Sequence, residues 1–220
     1  MHYGEYEGAA AATQQRKVLI LGESHYSQDP AVKQGTPGNR GTCCVVEDYL
    51  TDKESRDRQL TRFFHNIALA FGIDVGKDEE KKLFWDKVFF GNYVDVLCGV
   101  QDGTAERLMK QNKETYNQEL AEFVNRHQID TVFCFGLGVF DCLPGDHYAG
   151  ILPGEVGDTV SGKKFEENQS IELAGYLCEP PSGPFDHPVR IYGMTHPSRP
   201  GFSPKPFVEY LKPVFENCCG

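Results

Sequence analysis

Four short stretches of this chain carry residues equipped for chemistry. In the first, GESHY, Glu23, Ser24, His25 and Tyr26 follow the apolar run KVLIL without a spacer. An acid, a hydroxyl, an imidazole and a phenol in succession suit acid–base or nucleophilic work. Glu23 or His25 can accept a proton, and Ser24 can attack or position a water. The second is Asn92 in FFGNYV, an amide among bulky apolar neighbours. An amide offers one donor group and one acceptor, which is what reading the edge of a nucleobase requires. The third, FGLG at 135–138, has the spacing of a strand-to-helix turn that turns backbone N–H groups toward an anion. A GxG alone is better explained by helix packing. The fourth, THPSR at 195–199, is the sharpest. His196 can donate to developing negative charge, Ser198 can bond a phosphate and Arg199 adds a positive charge.

The elements that must position these residues follow from apolar periodicity. KVLIL reads as a strand that ends at Gly22 and places GESHY in a tight turn. The Gly-rich QGTPGNRGT after it reads as a loop. Leu60, Phe63, Phe64, Ile67, Ala68 and Phe71 recur at three and four spacing, which predicts an amphipathic helix over 53–71. A second strand is expected near 88–94, then a long helix over 104–127 that ends in Arg126 and His127, favourable charges at a helix C-terminus. IDTVFCFG is a third strand, leading into a short helix at VFDCL. Residues 144–188, rich in Gly, Pro and charge, read as an insertion or hairpin region with one strand-like piece, SIELAGYLC. VRIYGMT is a fourth strand. A closing helix is expected over 204–215, with Ser203 as N-cap and Pro204 in its first position. Alternating strands and helices imply a parallel sheet covered on both faces, and such sheets bind ligands at the carboxyl ends of their strands. Those ends carry GESHY, GNY, FGLG and THPSR.

Composition narrows the function classes. The formal charge is -10, from 22 basic and 32 acidic residues, which argues against a surface that binds nucleic acid everywhere. It leaves room for a local basic patch: Arg199, Lys205 and Lys212 stand against Glu209 in the segment 195–212. The eight cysteines include two vicinal pairs, Cys43–Cys44 and Cys218–Cys219, and no CxxC. That pattern suits reduced thiols in a cytoplasmic protein, with Cys98 and Cys134 as small core residues. No apolar run approaches the roughly 20 residues of a membrane span. Residues 1–16 read as a flexible lead-in, without the basic and apolar regions of a signal peptide, and 17–220 as one domain.

Taken together, these pieces resemble the uracil-DNA glycosylase superfamily. Its members carry a first motif of the GQDPY type after the first strand and an HPS motif after the last; GESHY and HPS at 196–198 occupy those places here. FFGNYV resembles the strand whose Asn reads uracil, and TVFCFGLGVFDCL the third strand with its helix. The resemblance implies a three-layer α/β/α sandwich with a central four-stranded parallel sheet in the order 2-1-3-4. It implies hydrolysis of the N-glycosidic bond of a flipped uracil or other damaged base. Asn92 would read the base, with Tyr26 beside it. His196 would stabilise the departing anion and Ser198 would contact phosphate. Arg199 to Phe202 would form the loop entering the minor groove, with Phe202 as the wedge.

The chain departs from the pattern at Ser24, which stands where relatives carry an Asp or Asn that activates water. A serine hydroxyl is not a base at neutral pH, so that task falls to Glu23 or His25. Some relatives hold an iron–sulfur cluster with two cysteines before the first motif; here the first cysteine is Cys43, so neither a cluster nor another cofactor or metal is expected. The expected partner is single- or double-stranded DNA, bound by a monomer. Two other readings compete: a relative that only binds a base, nucleotide or protein, and a metal-dependent hydrolase of the GExH type, which predicts a further His and Glu set.

Overall fold

The apolar run at 17–21 forms a strand, but the strand does not stop at Gly22. β2 spans Lys17–Ser27 and its neighbour β3 spans Phe89–Gly99. The two run parallel, pairing Gly22 with Asn92 and Ser24 with Val94; after a bulge between Ser24 and His25 they pair His25 with Leu97 and Ser27 with Gly99. GESHY is therefore strand rather than turn, because β3 is long enough to satisfy its backbone groups. On its other side β2 pairs in parallel with β4, Ile129–Phe135, only as far as Leu21 opposite Cys134. Beyond that point no strand among the described residues pairs with β2 on that side.

The computed structural model describes residues 5–27, 41–51, 58–99, 104–145, 160–165, 169–180 and 183–219. Part of the expected Gly-rich loop (34–40), the start of the first expected helix (53–57) and the side chains of Cys43 and Cys44 lie outside the described residues. The same holds for 146–159 of the expected insertion.

The sheet is larger than the four parallel strands expected, and it is mixed. Two-residue β1 (Tyr6–Glu7), β5 (Val160–Phe165), β6 (Gln169–Cys178) and β7 (Val189–Met194) complete a seven-stranded sheet in the order β1-β3-β2-β4-β7-β6-β5. β3, β2, β4 and β7 are mutually parallel. β1 runs antiparallel on one edge, and the β5–β6 hairpin adds antiparallel to β7 on the other. The hairpin comes from the segment read as an insertion or hairpin region. β1 comes from the stretch read as a flexible lead-in, where Tyr6 and Ala11 are in fact buried.

Side-chain alternation along the central strands divides the core between two faces. Val18, Ile20, Phe90, Phe133, Phe135 and Tyr192 join α1 (Gly41–Thr51), α2 (Arg58–Ala70), α3 (Asp78–Asp86) and α7 (Lys205–Cys219). Leu19, Leu21, Tyr93, Val132, Cys134 and Ile191 join α4 (Thr104–Gln111), α5 (Lys113–His127) and α6 (Leu137–Phe140). β4 is buried at every position but Asp130, the run expected of a strand covered on both sides.

Two helices differ from expectation. The helix expected over 104–127 breaks at Asn112, which takes φ -118° and ψ 20° while its amide donates to Leu108 O. Asparagine competes for backbone partners in this way. α7 continues past the expected end at Phe215, through exposed Pro213, to Cys219. Phe215, Cys218 and Cys219 are buried, and that packing outweighs the one backbone hydrogen bond a proline removes. No helix among the described residues is long and apolar enough to cross a membrane.

Candidate active site

Strand order reverses at β2, since β3 lies on one side and β4 on the other. The carboxyl end of that strand is where parallel sheets leave a crevice. Here the two pairings of β2 differ in length: β2 follows β3 to its end but parts from β4 after Leu21. Into the gap come Glu23 from β2, Gly136 after β4 and His196 after β7. Glu23 Oε2 and His196 Cδ2 each lie 3.9 Å from the position a Cβ would occupy on Gly136. Gly136 has φ 149°, a conformation that favours glycine.

His196 is fixed from three directions. The backbone N–H of Ser198 donates to its Nδ1 at 3.2 Å, so the proton of the neutral ring sits on Nε2. Burial holds the imidazole below the ordinary histidine range, against the pull of the Glu23 carboxylate. The Phe63 ring of α2 lies against it with centroids 5.3 Å apart. One turn further along α2, Asn66 Nδ2 donates to Pro197 O at 2.8 Å and ties the HPS turn to the helix.

Asn92 is buried and lies across Gly22, whose missing side chain makes the space: a Cβ there would sit 2.4 Å from Asn92 Oδ1 and 3.4 Å from Phe63 Cζ. Phe63 thus touches the surroundings of both Asn92 and His196. Asn92 Nδ2 donates to His25 Nε2 at 3.0 Å, and Thr42 Oγ1 of α1 lies 3.0 Å from the same nitrogen. Burial holds His25 below the ordinary histidine range. Its ring is neutral and its Nε2 is an acceptor, which commits that lone pair to Asn92 and Thr42.

Of the two candidates for water activation, Glu23 is the one facing the gap. The Tyr26 hydroxyl donates to Glu23 Oε1. Burial, reinforced by that carboxylate, pushes the phenol well above its ordinary pKa, so it stays a donor. The Ser24 hydroxyl is buried beside this cluster and, among the described residues, has no well-formed hydrogen bond. Ser198 and Arg199 are exposed on the turn after His196. Phe202 stacks on Phe207 of α7, centroids 5.3 Å apart, so its ring rests on the fold rather than projecting from it.

Spacing alone did not single out Phe63, Asn66 and Thr42. Phe63 counted as one of several core positions on α2. Asn66, three residues on, was the available signal, a polar side chain beside the apolar stripe. Among the described residues no group of three or more His, Cys, Asp or Glu side chains is placed to hold a metal ion. Comparison with models of known protein families and with curated protein sequences returns no match.

Proposed function

We propose that this chain is a DNA N-glycosylase of the uracil-DNA glycosylase type, hydrolysing the bond between the sugar and a flipped uracil or other damaged base. The observation that carries the reading is the convergence of Asn92 and His196 on Phe63, with Glu23 across Gly136 from His196. Further support comes from the frame. The four parallel strands lie in space as second, first, third and fourth of their set in chain order, with helices on both faces, as an α/β/α sandwich of that family requires.

In this mechanism the base is extruded into the crevice before reaction. Asn92 pairs with its edge. Glu23 takes a proton from a water whose oxygen bonds to C1′ of the sugar as the glycosidic bond breaks. The electron pair of that bond leaves with the base, and the neutral His196 donates its Nε2–H to the growing negative charge. Ser198 and Arg199 hold the backbone phosphates, which gives an acidic protein the local contact with DNA it needs.

The test is release of free base from single- and double-stranded DNA containing uracil, hypoxanthine or other altered bases. The protein releases at least one of them, and His196→Ala and Glu23→Ala each lower the rate by about 10²–10³-fold. No release from any substrate would overturn the enzyme. Tight binding of the same DNA without release would instead favour a base-binding relative, a reading supported by Ser24 in the place of the usual carboxylate.

A further inference from the structure

We infer that Tyr26 is a positioning residue: its hydroxyl holds one oxygen of the Glu23 carboxylate and so turns the other into the crevice, where it takes the proton of the attacking water. The inference rests on the glycosylase reading above and names how the base of that same site is aimed.

A glutamate needs restraint to serve as a base. Its side chain turns about several bonds, and a carboxylate left free spreads over rotamers of which few point at one bound water. Glu23 is only partly buried, so a specific contact has to supply the aim. The Tyr26 hydroxyl donates to its Oε1. Oε2 is the oxygen that faces Gly136, 3.9 Å from where a Cβ would lie there, and His196 Cδ2 stands equally far from that point. The two oxygens therefore have different tasks. One is tied back to β2, and the other is turned toward the gap shared with His196.

The chemistry of the two groups fixes the direction of this tether. A carboxylate only accepts, and a phenol keeps its proton at neutral pH. Burial, reinforced by the Glu23 carboxylate, raises the Tyr26 phenol further, so the donor does not fail across the neutral range.

The contact also depends on a local break in the sheet. Residues three apart on a regular strand point to opposite faces, so an unbroken β2–β3 ladder would hold Glu23 and Tyr26 apart. The register shifts between Ser24 and His25, where β2 advances one residue while its partner position on β3 moves from Val94 to Leu97. That irregularity lies between the two residues, and irregularities of this kind re-aim the side chains beside them. The tether is thus made within one strand, on a frame that β3 holds in place.

Two measurements on the full chain test the inference. In the first, single-turnover release of uracil, or of whichever altered base the wild type releases, is followed from single-stranded DNA. The wild type, Tyr26→Phe, Glu23→Ala and the double variant are compared. Tyr26→Phe keeps the ring and removes only the hydroxyl. It lowers the maximal rate about tenfold and leaves the Kd for the DNA within about twofold, as expected when a half-exposed hydrogen bond to a charged group is lost from the reacting geometry alone. In the Glu23→Ala background the same substitution brings no further loss, because no carboxylate remains to be aimed. In the second, carbon-13 spectra of ring-labelled tyrosine are recorded without DNA. Glu23→Ala shifts the Cζ resonance of Tyr26, which is identified by its disappearance in Tyr26→Phe. Circular dichroism confirms that each variant is folded; should Tyr26→Phe be unfolded, Tyr26→Leu takes its place. Wild-type rates from a folded variant without the hydroxyl, an equal loss in both backgrounds, or a Tyr26 resonance that Glu23→Ala leaves unmoved overturns the tether alone. Absence of base release from the wild type overturns the glycosylase reading and with it the role of Tyr26.

Discussion

Glu23 and His196 face each other across a glycine. Glu23 Oε2 and His196 Cδ2 are each 3.9 Å from the Cβ position of Gly136, so an acid and an imidazole that are distant in the chain share one gap floored by bare backbone. Gly136 is held there by its N–H, which donates to Met194 O at 2.9 Å, one residue before the turn that carries His196. The relationship explains why two strand ends, after β4 and after β7, must stay in register for the site to exist.

Gly136→Ala therefore acts on the site and on the backbone together. The methyl group occupies the gap, and a non-glycine residue at φ 149° is strained, at a cost of about 1–3 kcal/mol. Urea denaturation reads that loss. The methyl group itself would make only ordinary contacts, at 3.6–3.9 Å, so base release falls through the strained backbone, by about 10²-fold where it moves the reacting groups by about an ångström.

Gly22→Ala separates recognition from folding. Gly22 has an ordinary strand backbone, so alanine fits the chain, but its Cβ lies 2.4 Å from Asn92 Oδ1 and displaces that side chain. Base release drops about 10- to 100-fold, the effect of leaving a buried polar group unpaired. The unfolding midpoint in urea moves far less than the rate. An unchanged rate would show that Asn92 does not read the base.

The histidines give opposite pH dependences. Burial lowers the pKa of His25 and His196 in the folded state, so the unfolded chain binds their protons more readily. Their contribution to stability is lost as pH falls through the ordinary histidine range near about 6.5. His187 is raised despite burial, because its Nδ1 meets Asp186 Oδ1 at 2.5 Å and its Nε2 meets Ile129 O at 2.8 Å. Both contacts need a proton on the ring. Its contribution is complete below the ordinary histidine value and is lost as pH rises through the raised one. Urea midpoints for the wild type and His187→Gln differ most near pH 5.5 and converge in alkali. For His25→Gln with His196→Gln, the acid-side decline of the wild type flattens.

Arg199 is exposed on the turn after His196, where it meets a phosphate in the proposed complex. Arg199→Ala weakens DNA binding uniformly across sequences and reduces the slope of log affinity against log salt by about 1. Fluorescence anisotropy at several salt concentrations reads this directly, and an unchanged slope places the phosphate contact elsewhere.

Much of the frame was legible from local pattern. Alternating apolar strands and amphipathic helices, the buried Cys98 and Cys134, and the placing of His196 just beyond the last strand all follow from periodicity and turn chemistry, whereas GESHY and Asn92 lie within strands. The errors lie where pairing overrode local signals. Gly22 reads as the end of a strand, yet β3 carries β2 on to Ser27. Tyr6 and Glu7 read as a loose leader, yet the edge of β3 was available to pair with them. Asn112 splits a helix that periodicity alone would continue.

By itself the amino-acid sequence determined the alternation of elements, the two apolar faces and which residue types reach the carboxyl edge of the sheet, because each depends on neighbours a few positions apart. Tertiary structure alone decided what those residues do to one another. Asn92 meets His25 across 67 positions, and Asn66 holds Pro197 across 131. Such contacts are set by strand register, by one bulge and by the point at which β2 parts from β4, none of which is encoded in the spacing of any single motif.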